Sequence, residues 1–163
     1  MEIVAELLEN KHLALVFSQF VGHLTLVRKV LDKQGISYKY LDGSTSIPER
    51  GKIVNQFQKG EGELFLISLK AGGLGLNLTA ADYVIHLDPW WNPAIEDQAS
   101  DRAHRIGQNR PVTIYRLVAK NTIEEKIIAL HHSKRDMADS LLEGTDQASK
   151  LTATDLLNLI KEF

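Results

Sequence analysis

The chain has 163 residues, of which 44% are hydrophobic and 25% charged, as in an ordinary globular protein. Its formal net charge is -2 and it has no cysteine, which excludes a globally basic nucleic-acid binder, disulfide bonds and thiolate-bound metals. No apolar run approaches the roughly 20 residues of a membrane span, and the N-terminus lacks a signal-peptide pattern. We therefore expect an intracellular protein.

Five apolar or alternating segments predict strands, at residues 13–17, 36–41, 64–67, 83–87 and 112–118. Apolar residues at helical spacing precede, separate and follow these strands. The predicted helices lie at residues 1–10, between 21 and the glycine at 35, after a capping box at 46–49, from 122 onward, and at 152–163 beyond a polar linker at 144–150. This alternation predicts an α/β fold with a mainly parallel sheet and helices on both faces.

Polar segments directly follow four of the predicted strands. They are residues 18–19, 42–45, 68–75 and 88–92. In an open parallel sheet, ligands bind at the carboxyl ends of the strands. We therefore expect these four segments to share one edge of the sheet and to form the binding site there.

Residues 97–108 belong to one further predicted helix, which Asn92 caps and Gly107 closes. Its small apolar side chains form a stripe that allows close packing. The stripe consists of Ile95, Ala99, Ala103 and Ile106. An amphipathic helix with a solvated charged face explains this pattern, and taken alone it is the commoner case.

Gln98, Arg102 and Arg105 follow at i, i+4 and i+7 along one flank of that stripe. Two guanidinium groups and an amide presented together form a receptor for a phosphoryl group. The same helix therefore has a second interpretation, as a phosphate-binding element.

A glycine-rich segment, Gly72-Gly73-Leu74-Gly75, follows the third predicted strand. Close approach of backbone amides to a phosphate is one interpretation of it, and a tight turn with positive φ is the other. The chain has no P-loop, because its Gly51-Lys52 pair lacks the glycine before it and the Ser or Thr after it. We therefore do not expect the chain to cradle and cleave a nucleoside triphosphate by itself.

Trp90 and Trp91 are neighbours in the segment after the fourth strand. Because adjacent side chains diverge, either the pair is packed, or one ring is exposed and stacks on a nucleic acid. The two interpretations have equal weight. The six histidines have no ligand spacing, so we expect no metal site, and we interpret the basic residues at 131–135 as a solvated helix face.

Five motifs occur in order along the chain. They are Val-Phe-Ser-Gln-Phe at 16–20, Leu-Asp-Gly-Ser-Thr at 41–45 with Arg50, Lys-Ala-Gly-Gly-Leu-Gly-Leu-Asn-Leu-Thr-Ala-Ala at 70–81, Asp-Pro-Trp-Trp-Asn-Pro at 88–93 and Gln-Ala-Ser-Asp-Arg-Ala-His-Arg-Ile-Gly-Gln at 98–108. With them the chain resembles the C-terminal RecA-like lobe of the Swi/Snf family, chromatin-remodeller-type translocases among the superfamily-two helicases. The resemblance implies a RecA-like three-layer sandwich at 1–120 and a C-terminal helical brace, which packs across the lobes, at 121–163.

The resemblance also implies ATP hydrolysis between two RecA-like lobes, used to move along double-stranded DNA. The N-terminal lobe of the same protein supplies the P-loop and the acidic box that binds Mg²⁺. The present lobe supplies Arg102 and Arg105 as arginine fingers, each position being worth roughly 10³–10⁵ in rate. Gln98, Gly73 and Gly75 are expected on the nucleotide side.

Contacts with the DNA backbone are implied for a second set of residues. These are Ser18, Gln19, Gly43, Ser44, Thr45, Lys70, Ala71, Gly72 and Trp91. We expect the isolated lobe to be monomeric, to hydrolyse no ATP, to bind no membrane and to bind DNA weakly, since its net charge is acidic. Leu69 stands where many eukaryotic members have Thr, so we expect a bacterial or archaeal nucleoid-associated member, or a nuclear one if the source is eukaryotic.

Two hypotheses about function follow. The first is the C-terminal motor lobe of a DNA-dependent ATPase. The alternative is a non-catalytic nucleic-acid-binding or protein-docking module that kept the fold. An upstream P-loop and acidic box would favour the first, and the missing P-loop disfavours a self-contained nucleotide enzyme.

Overall fold

The computed structural model describes residues 1–72 and 75–142. The strands in this part are β1 (Ala14–Ser18), β2 (Tyr38–Leu41), β3 (Leu64–Ser68), β4 (Tyr83–His86) and β5 (Thr113–Arg116). The helices are α1 (Glu2–Glu9), α2 (Val21–Gln34), α3 (Ile47–Gln58), α4 (Leu69–Gly72), α5 (Pro93–Ser100) and α6 (Ile123–Leu142). All five predicted strands are confirmed, with ends that move by one or two residues.

The strands form one parallel sheet in the order β2-β3-β1-β4-β5. Ser18 pairs with Ser68 in the β1–β3 register, and Phe17 pairs with His86 in the β1–β4 register. The carboxyl ends of these three strands therefore meet at one edge. The predicted α/β fold with a parallel sheet is confirmed.

Each face of the sheet has its own hydrophobic core. Leu15 and Phe17 point into the core that α3, α4 and α5 cover, where Phe57 is the largest helical contribution. Ala14 and Val16 point into the opposite core, which α1 and α2 cover. Because successive side chains of a strand alternate between faces, this division gives three layers, with helices on both sides of the sheet.

The chain divides into two compact units, Met1–Val118 and Ala119–Phe163. The first holds the sheet and α1 to α5. In the second, α6 has an N-terminal turn in which Thr122 Oγ1 accepts a 3.2 Å hydrogen bond from the Glu124 amide. The predicted linker at 144–150 and helix at 152–163 lie outside the described residues. Within the part described, no helix is long and apolar enough to span a membrane.

The helix predicted at 97–108 is shorter than expected. Asn92 caps α5 as predicted, its side chain accepting a 3.2 Å bond from the Ala94 amide, but the helix ends at Ser100. The Ser100 hydroxyl donates back to the Glu96 carbonyl, and the carbonyl of Arg102 accepts a 2.9 Å bond from the Leu78 amide. Both bonds compete with continuation of the helix.

Residues 101–108, the arginine segment, consist of turns instead. Ala103 remains buried as predicted, whereas Ile106 is fully exposed and was wrongly assigned to the apolar stripe. The predicted capping box at 46–49 is also only half right. Ser46 is the N-cap of α3, but its side chain makes no capping hydrogen bond.

Candidate functional site

Asp88 joins the segments that follow β1 and β4. It is buried, and it accepts hydrogen bonds from the Ser18 hydroxyl and, over 2.9 Å, from the Gln19 amide. His23 Nδ1 lies 3.3 Å from the same carboxylate. The sequence analysis included Asp88 in the edge segment 88–92 but assigned it no role of its own, although its place directly after a buried strand was a usable signal. Ser18 is only 1% exposed, so its hydroxyl is used for the hydrogen bond to Asp88. Its contact with DNA stays a prediction.

Arg50 shapes the loop at residues 42–45, which follows β2. Its Nε atom donates to the Thr45 carbonyl over 2.7 Å, and its Nη2 atom donates to the carbonyls of Asp42 and Gly43, each over 3.3 Å. These bonds turn the carbonyl oxygens of the loop inward. The loop is thereby fixed before any ligand binds.

Hydrogen bonds within this loop decide which polar groups remain for a ligand. The Ser44 hydroxyl and amide both donate to the Asp42 carboxylate, over 2.6 and 2.8 Å, and these bonds lower the pKa of Asp42. The Thr45 hydroxyl oxygen accepts from the Asp42 amide over 3.2 Å, which leaves its hydrogen available. Thr45 and the exposed backbone of Gly43 are therefore better placed to donate to a phosphate than the Ser44 hydroxyl.

An open cavity of about 480 Å³ lies at the arginine segment. It is lined by Gln98, Asp101, Arg102, His104, Arg105 and Ile106. The structure thus brings together the amide and the two guanidinium groups that the sequence singled out, although the arginines lie beyond the helix rather than on it. We call this space the arginine cavity.

Arg102 is 6% exposed, and its Nε atom is buried without a hydrogen-bond partner among the described residues. Burial, and after it the positive charge of Arg105, lower the pKa of Arg102. A buried guanidinium that lacks full compensation attracts an anion strongly, because a low-dielectric surrounding strengthens the interaction. The arginine cavity is thus suited to a phosphate group.

Arg105 is exposed and contacts the glycine-rich segment. Its Nη1 atom donates to the Gly75 carbonyl over 3.3 Å, and Gly75 has a φ of +70°. Gly72 ends α4, and Gly73 lies outside the described residues. The positive φ fits a tight turn, while the contact with Arg105 places Gly75 beside the arginine cavity.

A second cavity, of about 200 Å³, adjoins the arginine cavity. It is lined by Gln19, Leu69, Lys70, Trp90, Ile95 and Gln98. Gln98 belongs to the walls of both cavities, so residues predicted for DNA and residues predicted for nucleotide lie side by side. Ala71, also predicted for DNA, is buried, and its amide donates to Ser68 Oγ over 3.4 Å.

The two tryptophans diverge in their surroundings. Trp90 packs against the core on the α3 and α5 face of the sheet, whereas Trp91 is 55% exposed. One of the two rings is therefore partly buried and the other is more than half exposed to solvent. The Trp90 amide donates to Glu96 Oε1 over 2.6 Å, which fixes the start of this segment onto α5.

Glu96 is a fully buried carboxylate to which the sequence assigned no role. Its Oε2 atom accepts a 2.9 Å bond from Arg116 Nε of β5. The buried His86 ring lies nearby, with Nε2 2.9 Å from Ser100 Oγ. Desolvation lowers the pKa of His86 to about 4, so the ring is neutral at pH 7.

Among the described side chains, no group of three or more His, Cys, Asp or Glu residues is arranged so that it could hold a metal ion. The arginine cavity is lined mainly by donors, which suit a phosphate rather than a cation.

Comparison with known proteins decides the family. The model of the helicase conserved C-terminal domain matches residues 1–107. The chain belongs to this family. An ATP-dependent helicase of Mycoplasma pneumoniae is 42% identical over 163 residues, which are 99% of this chain and 16% of that protein. The DNA repair protein RAD5 of Cryptococcus neoformans is 44% identical over 150 residues, 91% of this chain and 12% of that protein.

A solved structure extends the comparison to the fold. The crystal structure of the C-terminal part of the Fun30 ATPase domain matches with a TM-score of 0.73 and 38% identity, over 76% of this chain and 40% of that one. The helicase C-terminal domain described here is thus a RecA-like lobe of the Swi/Snf type. It spans only 8% to 17% of the length of the curated relatives that it matches.

Proposed function

We propose that this helicase C-terminal domain is the second motor lobe of a double-stranded-DNA-dependent ATPase. In this proposal ATP and Mg²⁺ bind mainly to an N-terminal RecA-like lobe of the same protein. Arg102 and Arg105 reach the γ-phosphate across the cleft between the lobes. In the same proposal α6 belongs to a C-terminal helical brace, and the protein acts at the nucleoid or in the nucleus.

The arginine cavity is the observation that carries this proposal. It is lined by Gln98, the buried Arg102 and the exposed Arg105, yet the chain has no P-loop with which to hold a triphosphate. A phosphate receptor without a nucleotide cradle is useful only when the nucleotide arrives on another surface. Developing charge on a transferring phosphoryl group is what such arginines stabilise.

The carboxyl edge of the sheet supports contact with DNA. Thr45 and the Gly43 amide are available donors on a loop that Arg50 holds, and Lys70 and Trp91 are exposed on neighbouring segments. Donors of this kind contact phosphates regardless of base sequence. Because Gln98 lines both the arginine cavity and the second cavity, which Lys70 also lines, the same lobe is suited to sense DNA and nucleotide together.

The test uses the full-length protein that carries this lobe. We expect ATP hydrolysis that double-stranded DNA stimulates, and its loss by about 10³-fold or more in Arg102→Ala and Arg105→Ala. Binding of ATP should remain, because the P-loop lies on the other lobe. Lys59→Ala, an exposed change at the end of α3, is the control. Hydrolysis that survives both arginine substitutions would show that the finger assignment is wrong and would favour the non-catalytic module.

A further inference from the structure

Gln108 closes the arginine segment onto a neighbouring stretch of chain. Its Nε2 atom lies 3.0 Å from the carbonyl oxygen of Thr79 and 2.8 Å from that of Ala81. The same atom lies 3.3 Å from the Ala103 carbonyl, within the arginine segment itself. The Gln108 amide therefore ties the last residue of the arginine segment both to Ala103 and to residues 78–82, which we call the connecting segment, beside the backbone bond from Leu78 to Arg102.

The arginine segment depends on such bonds because α5 ends at Ser100. Backbone hydrogen bonds of the helical type continue as far as His104, whose amide donates to the Ser100 carbonyl over 3.4 Å, and Arg105 follows after them. His104, Arg105 and Ile106 are exposed, so little packing holds them. A guanidinium that must meet a phosphate needs placement to within about 0.5 Å, and that placement has to come from bonds to neighbouring chain.

The connecting segment is itself fixed from another side. Gln58 of α3 accepts a 2.7 Å bond from the Ala80 amide with Oε1, and its Nε2 donates to Thr79 Oγ1 over 3.2 Å. Among these two glutamines, Gln108 alone also bonds the arginine segment. The chain therefore contains a matched pair: two side-chain amides bond the connecting segment, and only one of the two, that of Gln108, belongs to the arginine segment.

We propose that Gln108 is a positioning residue for nucleotide hydrolysis. Its amide sets the arginine segment against the connecting segment, and this fixes where Arg102 and Arg105 meet the phosphates of a nucleotide bound on the N-terminal lobe. The inference rests on the proposed function of the two arginines. It predicts that loss of the amide weakens binding of the transition state and leaves binding of the product nucleotide unchanged.

The experiment measures two dissociation constants in the full-length protein, for ADP and for ADP with aluminium fluoride, which imitates the transferring phosphoryl group. We expect Gln108→Leu to weaken binding of the aluminium fluoride complex by about tenfold or more, with ADP binding unchanged. Arg105→Ala should do the same, and the double variant should be no weaker than Arg105→Ala alone. Gln58→Leu, the matched control, should leave both constants unchanged.

The possible results separate the inference from the proposed function. Reversible unfolding of this lobe would also weaken the aluminium fluoride complex, so urea unfolding of Gln108→Leu and Gln58→Leu is measured beside the titrations, and equal stability of the two variants excludes that cause. If Arg105→Ala weakens the complex and Gln108→Leu does not, the positioning role is wrong and the arginine fingers stand. If neither does, the proposed function is wrong as well. Equal effects of Gln108→Leu and Gln58→Leu would assign Gln108 a general structural role and overturn the inference.

Discussion

Arg105 donates a hydrogen bond to the carbonyl oxygen of Gly75, over 3.3 Å and across 30 residues of chain. The left-handed backbone of Gly75, with φ +70°, turns the glycine-rich segment at this point. Arg105, which we propose to contact the nucleotide, is thus hydrogen-bonded to the glycine-rich segment. Residues 70–72, just before that segment's turn, are proposed to lie near DNA. A shift of either partner changes the surroundings of the other.

The first prediction concerns this backbone conformation. A Cβ atom at Gly75 would meet no atom within 4 Å, so Gly75→Ala should destabilise the fold by its left-handed φ alone, by about 1–2 kcal/mol. Gly43→Ala is the control, because Gly43 also has open space around it but no positive φ. Urea unfolding of the chain measures both. Equal stability of the two variants would contradict the account of Gly75.

The second prediction concerns contact with DNA. Lys70 is exposed at the carboxyl edge of the sheet, whereas Lys59 is exposed at the end of α3, near the opposite edge. Lys70→Gln should weaken binding of duplex DNA and lower the slope of log K against log salt by about 1, because one phosphate contact is lost. Lys59→Gln should leave the slope unchanged. Fluorescence anisotropy with a labelled duplex measures both, and identical slopes would remove Lys70 from the proposed contacts.

The third prediction concerns pH. Burial lowers the pKa of His86 to about 4, whereas an unfolded histidine has a pKa of about 6.5. Between these two pH values His86 is protonated in the unfolded chain and neutral in the folded chain. The free energy of unfolding therefore decreases as the pH falls from about 6.5 to about 4, by up to roughly 3 kcal/mol.

His86→Gln removes this titration and should flatten the decline. His132→Gln, at an exposed histidine of α6, should not. Urea unfolding across this pH range compares the two. A decline in His86→Gln as steep as in the parent chain would show that other groups cause it.

The sequence predicted the sheet well because its signals are local. Continuous apolar runs such as residues 64–67 identify strands buried on both faces, and Gly35 stops α2 with the left-handed φ of 69° that a glycine favours. The common edge could be predicted because all strands of a parallel sheet end on the same side. The segments after Ser18, Leu41, Ser68 and His86 lie together at that edge, as expected.

What the sequence missed depends on contacts between distant residues. The helix at 97–108 failed because Leu78, more than 20 positions away, bonds the Arg102 carbonyl. Asp88 and Glu96 received no role because their partners, Ser18 and Arg116, come from other strands. Periodicity cannot report such bonds, since it describes only neighbours along the chain.

The fourth prediction separates two carboxylates that share one arginine. Glu96 and Asp97 bond Arg116 over 2.9 and 3.0 Å, but the Glu96 side chain is 0% exposed and the Asp97 side chain 46%. Glu96→Gln removes the buried carboxylate that pairs with Arg116. We expect it to lower the free energy of unfolding by about 2–4 kcal/mol. Asp97→Asn should cost less than about 1 kcal/mol, because water screens an exposed pair. Urea unfolding measures the difference. Similar costs would mean that burial does not set the strength of this pair.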